Sequence, residues 1–199
     1  MIDVAQISAL HRQMVELWHA QPVFNPCRDL QYLICEQHKF NFLLWHEEDI
    51  ARSPHVGDAR IAAVKRAIDR FNQQRNDATE RIDDFLKREI EDRKMIVLPE
   101  ARWNSETPGS VIDRLSILGL RIYHMQEQVE RPDASADHVE RSREKLAVLE
   151  VQREDLSVAL AELMADIFAG RKRLKVYRQY KMYNDPALNP YLYTPRKAG

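Results

Sequence analysis

The sequence predicts an all-α fold, and three observations carry that prediction. Apolar residues recur at spacings of three and four over long stretches, the pattern of helices with one buried face. Only 5 glycines occur in 199 residues, few for a sheet-rich protein or one built on glycine-rich nucleotide loops. Helix start and stop signals fall at the ends of the periodic stretches. The expected arrangement is an antiparallel bundle of four to five long helices with an extended C-terminal tail packed on it. One domain is expected over 1–199, with the bundle in 1–170 and a basic, Tyr/Pro-rich tail in 171–199.

The first helix is expected over Asp3 to Ala20, where Val4, Ile7, Leu10, Met14 and Leu17 form one stripe. Pro22 and Pro26 mark the connection that follows. The second helix runs from Arg28 to Ala51 and stops at Ser53-Pro54, because proline disfavours helical geometry in the residue before it. The third is unusually long, Asp58 to Lys94. Its seam is Ile61, Val64, Ile68, Phe71, Arg75, Ala78, Ile82, Phe85 and Glu89. Met95 to Leu98 reads as a short extended piece and Pro99 to Pro108 as a loop. A fourth helix opens at Thr107-Pro108, with proline where its missing N–H costs nothing, or at a Ser110–Asp113 capping pair. Between Asn104 and Ser110 the free N–H groups of a helix start suit an anion, but ordinary capping is the favoured reading. The fifth helix spans Ala136 to Ala169 and ends at Gly170, read as a left-handed cap. Its seam, Val139, Leu146, Leu149, Arg153, Leu156, Leu160, Leu163 and Ile167, again holds one arginine.

The totals exclude several classes. Net charge is −1, so general nucleic-acid affinity is not expected. Cys27 and Cys35 match no zinc spacing and make no disulfide framework, which points to a reducing, cytoplasmic setting. No secretory signal and no membrane span are read. From Arg171 onward the basic residues Arg171, Lys172, Arg173, Lys175, Arg178, Lys181, Arg196 and Lys197 face only Asp185. This tail is expected to dock on the acidic remainder of the chain, its tyrosines packed inward and its cationic heads in water.

Chemistry concentrates on the bundle seams. Arg75 and Arg153 replace apolar residues, and a buried guanidinium is costly unless paired and hydrogen-bonded. They form either a structural ion-pair layer or the anchor of an anion pocket. On the second helix, Leu30 and Ile34 give way along one face to His38, Asn41, Trp45 and Glu48. Pairing that helix with the third gathers Asn41, Trp45, Glu48, Lys65, Asp69, Asn72 and Arg75 into one wall, with His38 near Asn72 and Arg75. Asn76 lies alongside, and Asp113 and Arg153 complete the wall from the last two helices. In this reading Arg75 and Arg153 hold phosphate, Lys65 adds charge, Asn41, Asn72 and Asn76 meet hydroxyls, and Trp45 stacks on a sugar. Glu48, Asp69 and Asp113 are the acid/base candidates if a reaction occurs. No metal site and no cofactor are expected. His46 with Asp49 or Glu48 would need donors from elsewhere, and no Glu-x-x-His pair of the di-iron type is present.

Four segments are familiar together: Leu44-Trp-His-Glu-Glu-Asp49, Ala67-Ile-Asp-Arg-Phe-Asn-Gln-Gln-Arg-Asn-Asp77, Asn104-Ser-Glu-Thr-Pro-Gly-Ser-Val-Ile-Asp-Arg-Leu-Ser-Ile-Leu118 and Tyr180-Lys-Met-Tyr-Asn-Asp-Pro186. They resemble a bacterial domain of unknown function, family 4254, over nearly the whole chain. The resemblance implies no established activity, and a setting near surface-polysaccharide synthesis. Two functional readings follow. The first is a pocket protein for an anionic small molecule, a sugar phosphate or nucleotide-sugar. The second is a non-enzymatic interaction protein, a homodimer or partner-binding bundle, with a structural arginine layer. RNA binding through the tail ranks below both.

Overall fold

A computed structural model describes residues 3–193. The protein is mostly helical: α1 (Val4–Ala20), α2 (Asp29–Arg52), α3 (Asp58–Asp92), α4 (Pro108–Glu130), α5 (Ala136–Phe168) and the short α6 (Pro190–Tyr193). Two-residue strands β1 (Arg102–Trp103) and β2 (Lys172–Arg173) pair in parallel. The extended pairing thus falls beyond Met95–Leu98, where it was expected. Those residues are irregular, and Leu98 N–H donates to the Gly170 carbonyl at 3.0 Å.

The helix ends follow from local chemistry. Asp3 accepts from Ala5 N–H at 2.9 Å to open α1. Thr107 and Ser110 cap α4 reciprocally, with Pro108 at its first position. Ser110 therefore pairs with Thr107, not with Asp113. Ser135 accepts from His138 N–H to open α5. Gly170 follows α5 at φ +71°, a region that favours glycine.

α4 packs against all four other long helices and is the element on which the core is built. The main core joins Ile7 of α1, Ile34 of α2, Ile82 and Leu86 of α3, Ile112 and Leu115 of α4, and Leu160, Leu163 and Ile167 of α5. A second cluster holds Met14, Val15, Trp18, Cys35, Phe42 and Leu120. The buried face of α3 drifts along its length. Val64, Ile68, Ala78 and Ile82 are buried as expected, and after Arg75 Asn76, Asp83 and Leu86 join them. A helix of 3.6 residues per turn drifts about 20° per heptad against a strict seven-residue repeat, so the seam widens: Phe85 packs half-buried against the core beside Leu86, and Glu89 is partly covered.

Asp83 is a consequence of that drift. It is 3% exposed and accepts from Gly109 N–H at 2.7 Å, at the start of α4. The helix start that suits an anion thus holds one of the protein's own. Gly109 permits the approach, since a Cβ there would sit 2.7 Å from the Thr79 carbonyl and 2.8 Å from the Asp83 carboxylate. Burial pushes the Asp83 carboxyl up to about 6, against the opposing pull of its hydrogen bonds to Thr107 and Gly109. The folded state therefore holds this proton more tightly than the unfolded chain does. The resulting stabilisation is full below the unfolded value of 3.8 and is lost as pH rises through about 6. Asp83→Asn removes that dependence. Between pH 4 and pH 7.5 the variant should gain on the wild type by up to about 3 kcal/mol, read as a growing difference in melting temperature. A difference that does not change with pH would contradict this assignment.

The basic tail docks as expected, through cations. Arg178 pairs with Glu80 at 3.0 Å and Asp84 at 2.7 Å on α3. Arg173 donates to the Ala101 carbonyl at 3.0 Å, and Arg171 pairs with Asp166 at 2.8 Å. The tyrosines do not pack inward: Tyr180, Tyr183 and Tyr191 are exposed. The charged heads found carboxylates on α3, leaving the rings outside. Arg196 and Lys197 lie outside the described residues.

Candidate functional site

A cleft of about 520 Å³ opens between α2, α3 and α4. Asn41, Trp45 and Glu48 line it from α2, Asn72 and Arg75 from α3, so five members of the expected wall meet there. Ile117, Leu120 and Arg121 of α4 also line it, as do Leu44, Asp49 and Arg52 of α2. It therefore offers three guanidinium groups, two carboxylates, two side-chain amides and an indole. Arg52 is engaged by Glu48 at 3.0 Å. Among the described residues no ion pair within 4.0 Å involves Arg75 or Arg121; Arg75 donates to Asn76 Oδ1 at 3.2 Å, and its Nε is buried without a partner.

Behind the cleft lies a buried polar network. Asn41 donates through Nδ2 to Asp113 at 2.8 Å and to Ser116 Oγ at 2.9 Å. Both amide hydrogens are used, which fixes the amide orientation and leaves Oδ1 as the free acceptor. Gln37 also donates to Asp113. Asp113 is thus a support for the wall and does not itself line the cleft. Burial raises its pKa, opposed by the Arg75 charge and the Asn41 hydrogen bond.

His38 does not reach Asn72 and Arg75; it turns toward α1 and α4. Its Nε2–H donates to the His11 carbonyl at 3.0 Å, so its Nδ1 accepts from the Ser116 hydroxyl at 2.7 Å. Burial holds its pKa down at about 3, so the ring stays neutral. The Ser116–His38 pair resembles an activated hydroxyl, but both residues are 0% exposed, and no substrate reaches them.

Other expected members lie elsewhere. Lys65 and Asp69 pair with each other at 2.6 Å on the surface of α3, which raises the Lys65 pKa. Asn76 is buried beside Arg75. Arg153 does not meet Arg75. It lines a separate cleft of about 240 Å³ with His11, Arg12, Tyr123 and Glu150, because α5 packs on α1 and α4. A third cleft, also about 240 Å³, lies among Ile7, Leu10, Leu30 and Phe85, with Asp3, Glu89 and Arg93 also in its lining. The cysteines are free, and burial pushes the Cys35 thiol up, away from reactivity.

Arg121 was legible in principle, since it follows Asp113 and Ile117 at successive steps of four on one α4 face. A second group carried no local signal. His19 of α1, His46 of α2 and His124 of α4 bring one ring nitrogen each within 4.8 Å of the others. Burial lowers the His46 pKa, reinforced by its two histidine neighbours. The two donors that His46 lacks in the sequence are supplied by other helices.

Fold and site together define a helical protein with a guanidinium-bearing polar cleft between three of its helices. The chain belongs to the family described as "Protein of unknown function (DUF4254)", whose model matches residues 31–176. Every cleft residue falls within that span. No curated protein and no solved structure matches the chain.

Proposed function

We propose that the α2–α3–α4 cleft binds an anionic small molecule, a sugar phosphate or nucleotide-sugar. The observation that carries this reading is Arg75: it lines an open cleft with Arg121 and is not locked in a buried ion pair. Guanidinium groups match phosphate oxygens bidentately. The free Oδ1 of Asn41 and the Asn72 amide suit hydroxyls, and the indole of Trp45 offers an apolar face to a sugar ring. The resemblance to the family adds a setting in bacterial cell-envelope polysaccharide synthesis, and the free cysteines favour the cytoplasm. We read the long helices as one antiparallel bundle in a single domain, supported by the short Ser53–Gly57 connection between α2 and α3. Of the acid/base candidates Glu48, Asp69 and Asp113, Glu48 lines the cleft and is the one we assign to proton transfer if chemistry follows binding.

The test is thermal melting with millimolar inorganic phosphate, hexose phosphates and nucleotide-sugars in EDTA, on wild type and Arg75→Met. A ligand at 100 times its Kd adds about 2.7 kcal/mol to the stability of the folded state. The expected result is stabilisation of the wild type by at least one phosphate-bearing ligand, and loss of that effect in Arg75→Met. Equal shifts in both proteins, or none in either, would overturn the reading. The alternative, an interaction protein or homodimer, draws support from Val148, Val151 and Val158, exposed along α5. A sedimentation experiment at two concentrations separates monomer from dimer.

A further inference from the structure

We propose that His19, His46 and His124 form a binding site for one divalent transition-metal ion, zinc by the chemistry of its donors. The three side chains come from α1, α2 and α4, and one ring nitrogen of each lies within 4.8 Å of the other two. Two of the rings have their tautomer set by the protein. His19 Nδ1–H donates to the Val15 carbonyl at 2.7 Å. His124 Nδ1–H donates to the Glu127 carboxylate at 2.7 Å. Each bond leaves Nε2 with its lone pair, the way metal-ligating histidines are oriented by carbonyl or carboxylate partners.

The second observation is an unmet need. Nε2 of His46 and Nε2 of His124 are both buried and without a hydrogen-bond partner. Buried polar nitrogens are rarely left so. A shared cation satisfies both at once. The rings are also held in place. Tyr123 stacks on His19 at 4.4 Å, Phe42 meets His46 edge-on at 4.4 Å, and Trp45 stacks on His124 at 4.8 Å and 10°. Donors at about 2.0–2.1 Å from a tetrahedral ion stand roughly 3.3 Å apart. The ring nitrogens, now within 4.8 Å of one another, draw in to that spacing on binding, and His19 is exposed in the last turn of α1.

Three neutral imidazoles select zinc, cobalt, nickel or copper over magnesium and calcium, which take oxygen donors. Three protein ligands also leave a fourth position open, as in zinc sites that bind water or substrate. Trp45 lines the polar cleft and stacks on His124, so the two sites share a wall. The metal site stands on its own donors and does not require the cleft to bind phosphate.

The experiment uses the full chain without an affinity tag, stripped with EDTA and titrated with Zn²⁺ and with Co²⁺, the latter read by visible absorption. One ion per chain is expected, with the d–d bands of a four-coordinate Co²⁺ site. His19→Ala should abolish stoichiometric binding while the metal-free chain stays folded, since His19 is exposed. His46→Ala and His124→Ala should abolish it too. Glu127→Gln should weaken it by roughly 10–100-fold, as loss of a supporting carboxylate does. Arg75→Met should bind metal as the wild type does, which separates failure of this site from failure of the cleft. Wild-type binding no tighter than that of the His19→Ala/His46→Ala/His124→Ala variant would overturn the proposal. So would a His19→Ala chain that still binds one ion with unchanged affinity.

Discussion

Asp113→Ala is expected to lower stability by about 2–5 kcal/mol and to remove ligand binding in the cleft together with it. The cost is set by what the carboxylate leaves behind. Gln37 and Asn41 both donate to it from α2, Gln37 from a fully buried position. A buried donor left unpartnered costs about 1–3 kcal/mol, and here two lose an acceptor while Arg75 loses a balancing charge. Asn41 keeps Ser116 but is no longer held in the orientation that presents Oδ1 to the cleft. Asp113→Asn is the informative companion. It restores an acceptor for Gln37 and Asn41 without the charge, so it should recover much of the stability and, with Asn41 held again, the ligand binding. Chemical denaturation measures the first quantity and ligand-induced melting shifts the second. A stable Asp113→Ala chain would mean that the network contributes little.

Gly170→Ala should be comparably damaging for a reason confined to the backbone. The residue sits at φ +71°, which costs an L-residue about 1–2 kcal/mol. A Cβ there would also lie 2.2 Å from the Ile96 carbonyl oxygen, and that neighbour is main chain. Forcing a shift in a packed region adds about 1–3 kcal/mol. The sum, roughly 2–5 kcal/mol, falls on the junction that carries Leu98–Gly170 and the β1–β2 pair. A melting temperature within a degree of the wild type would contradict it.

What was readable in the sequence divides along a physical line. Thr107-Pro108, Ser53-Pro54 and Gly170 act through bonds a few residues away, so the helix limits they imply match the structure to within about two residues. The α2 face of Asn41, Trp45 and Glu48 was also legible, because one helix fixes it by its own period. The expected seam of α3 held at Ala78 and Ile82 but missed Asn76, Asp83 and Leu86, since a seven-residue template ignores the 3.6-residue turn over a helix of 35 residues. Arg153 was joined to Arg75 because each replaces an apolar residue on its helix seam, but which side of α4 each neighbour occupies is decided by packing. The histidine trio lay further still from sequence reading. His19, His46 and His124 have no common spacing, and only the meeting of α1, α2 and α4 makes them neighbours. In the tail, the cations were expected to reach solvent and the rings to pack. The carboxylates of Glu80 and Asp84 on α3 reversed that order.

The central claim is that the anion site is the Arg75 cleft and that the second arginine has no part in it. Calorimetric titration of the best-stabilising phosphate ligand into wild type, Arg75→Met and Arg153→Met tests this directly. Arg75→Met should lose at least about tenfold in affinity, the equivalent of 1.4 kcal/mol, while Arg153→Met binds as the wild type does. Equal losses in both, or a loss confined to Arg153→Met, would place the ligand elsewhere and contradict the account.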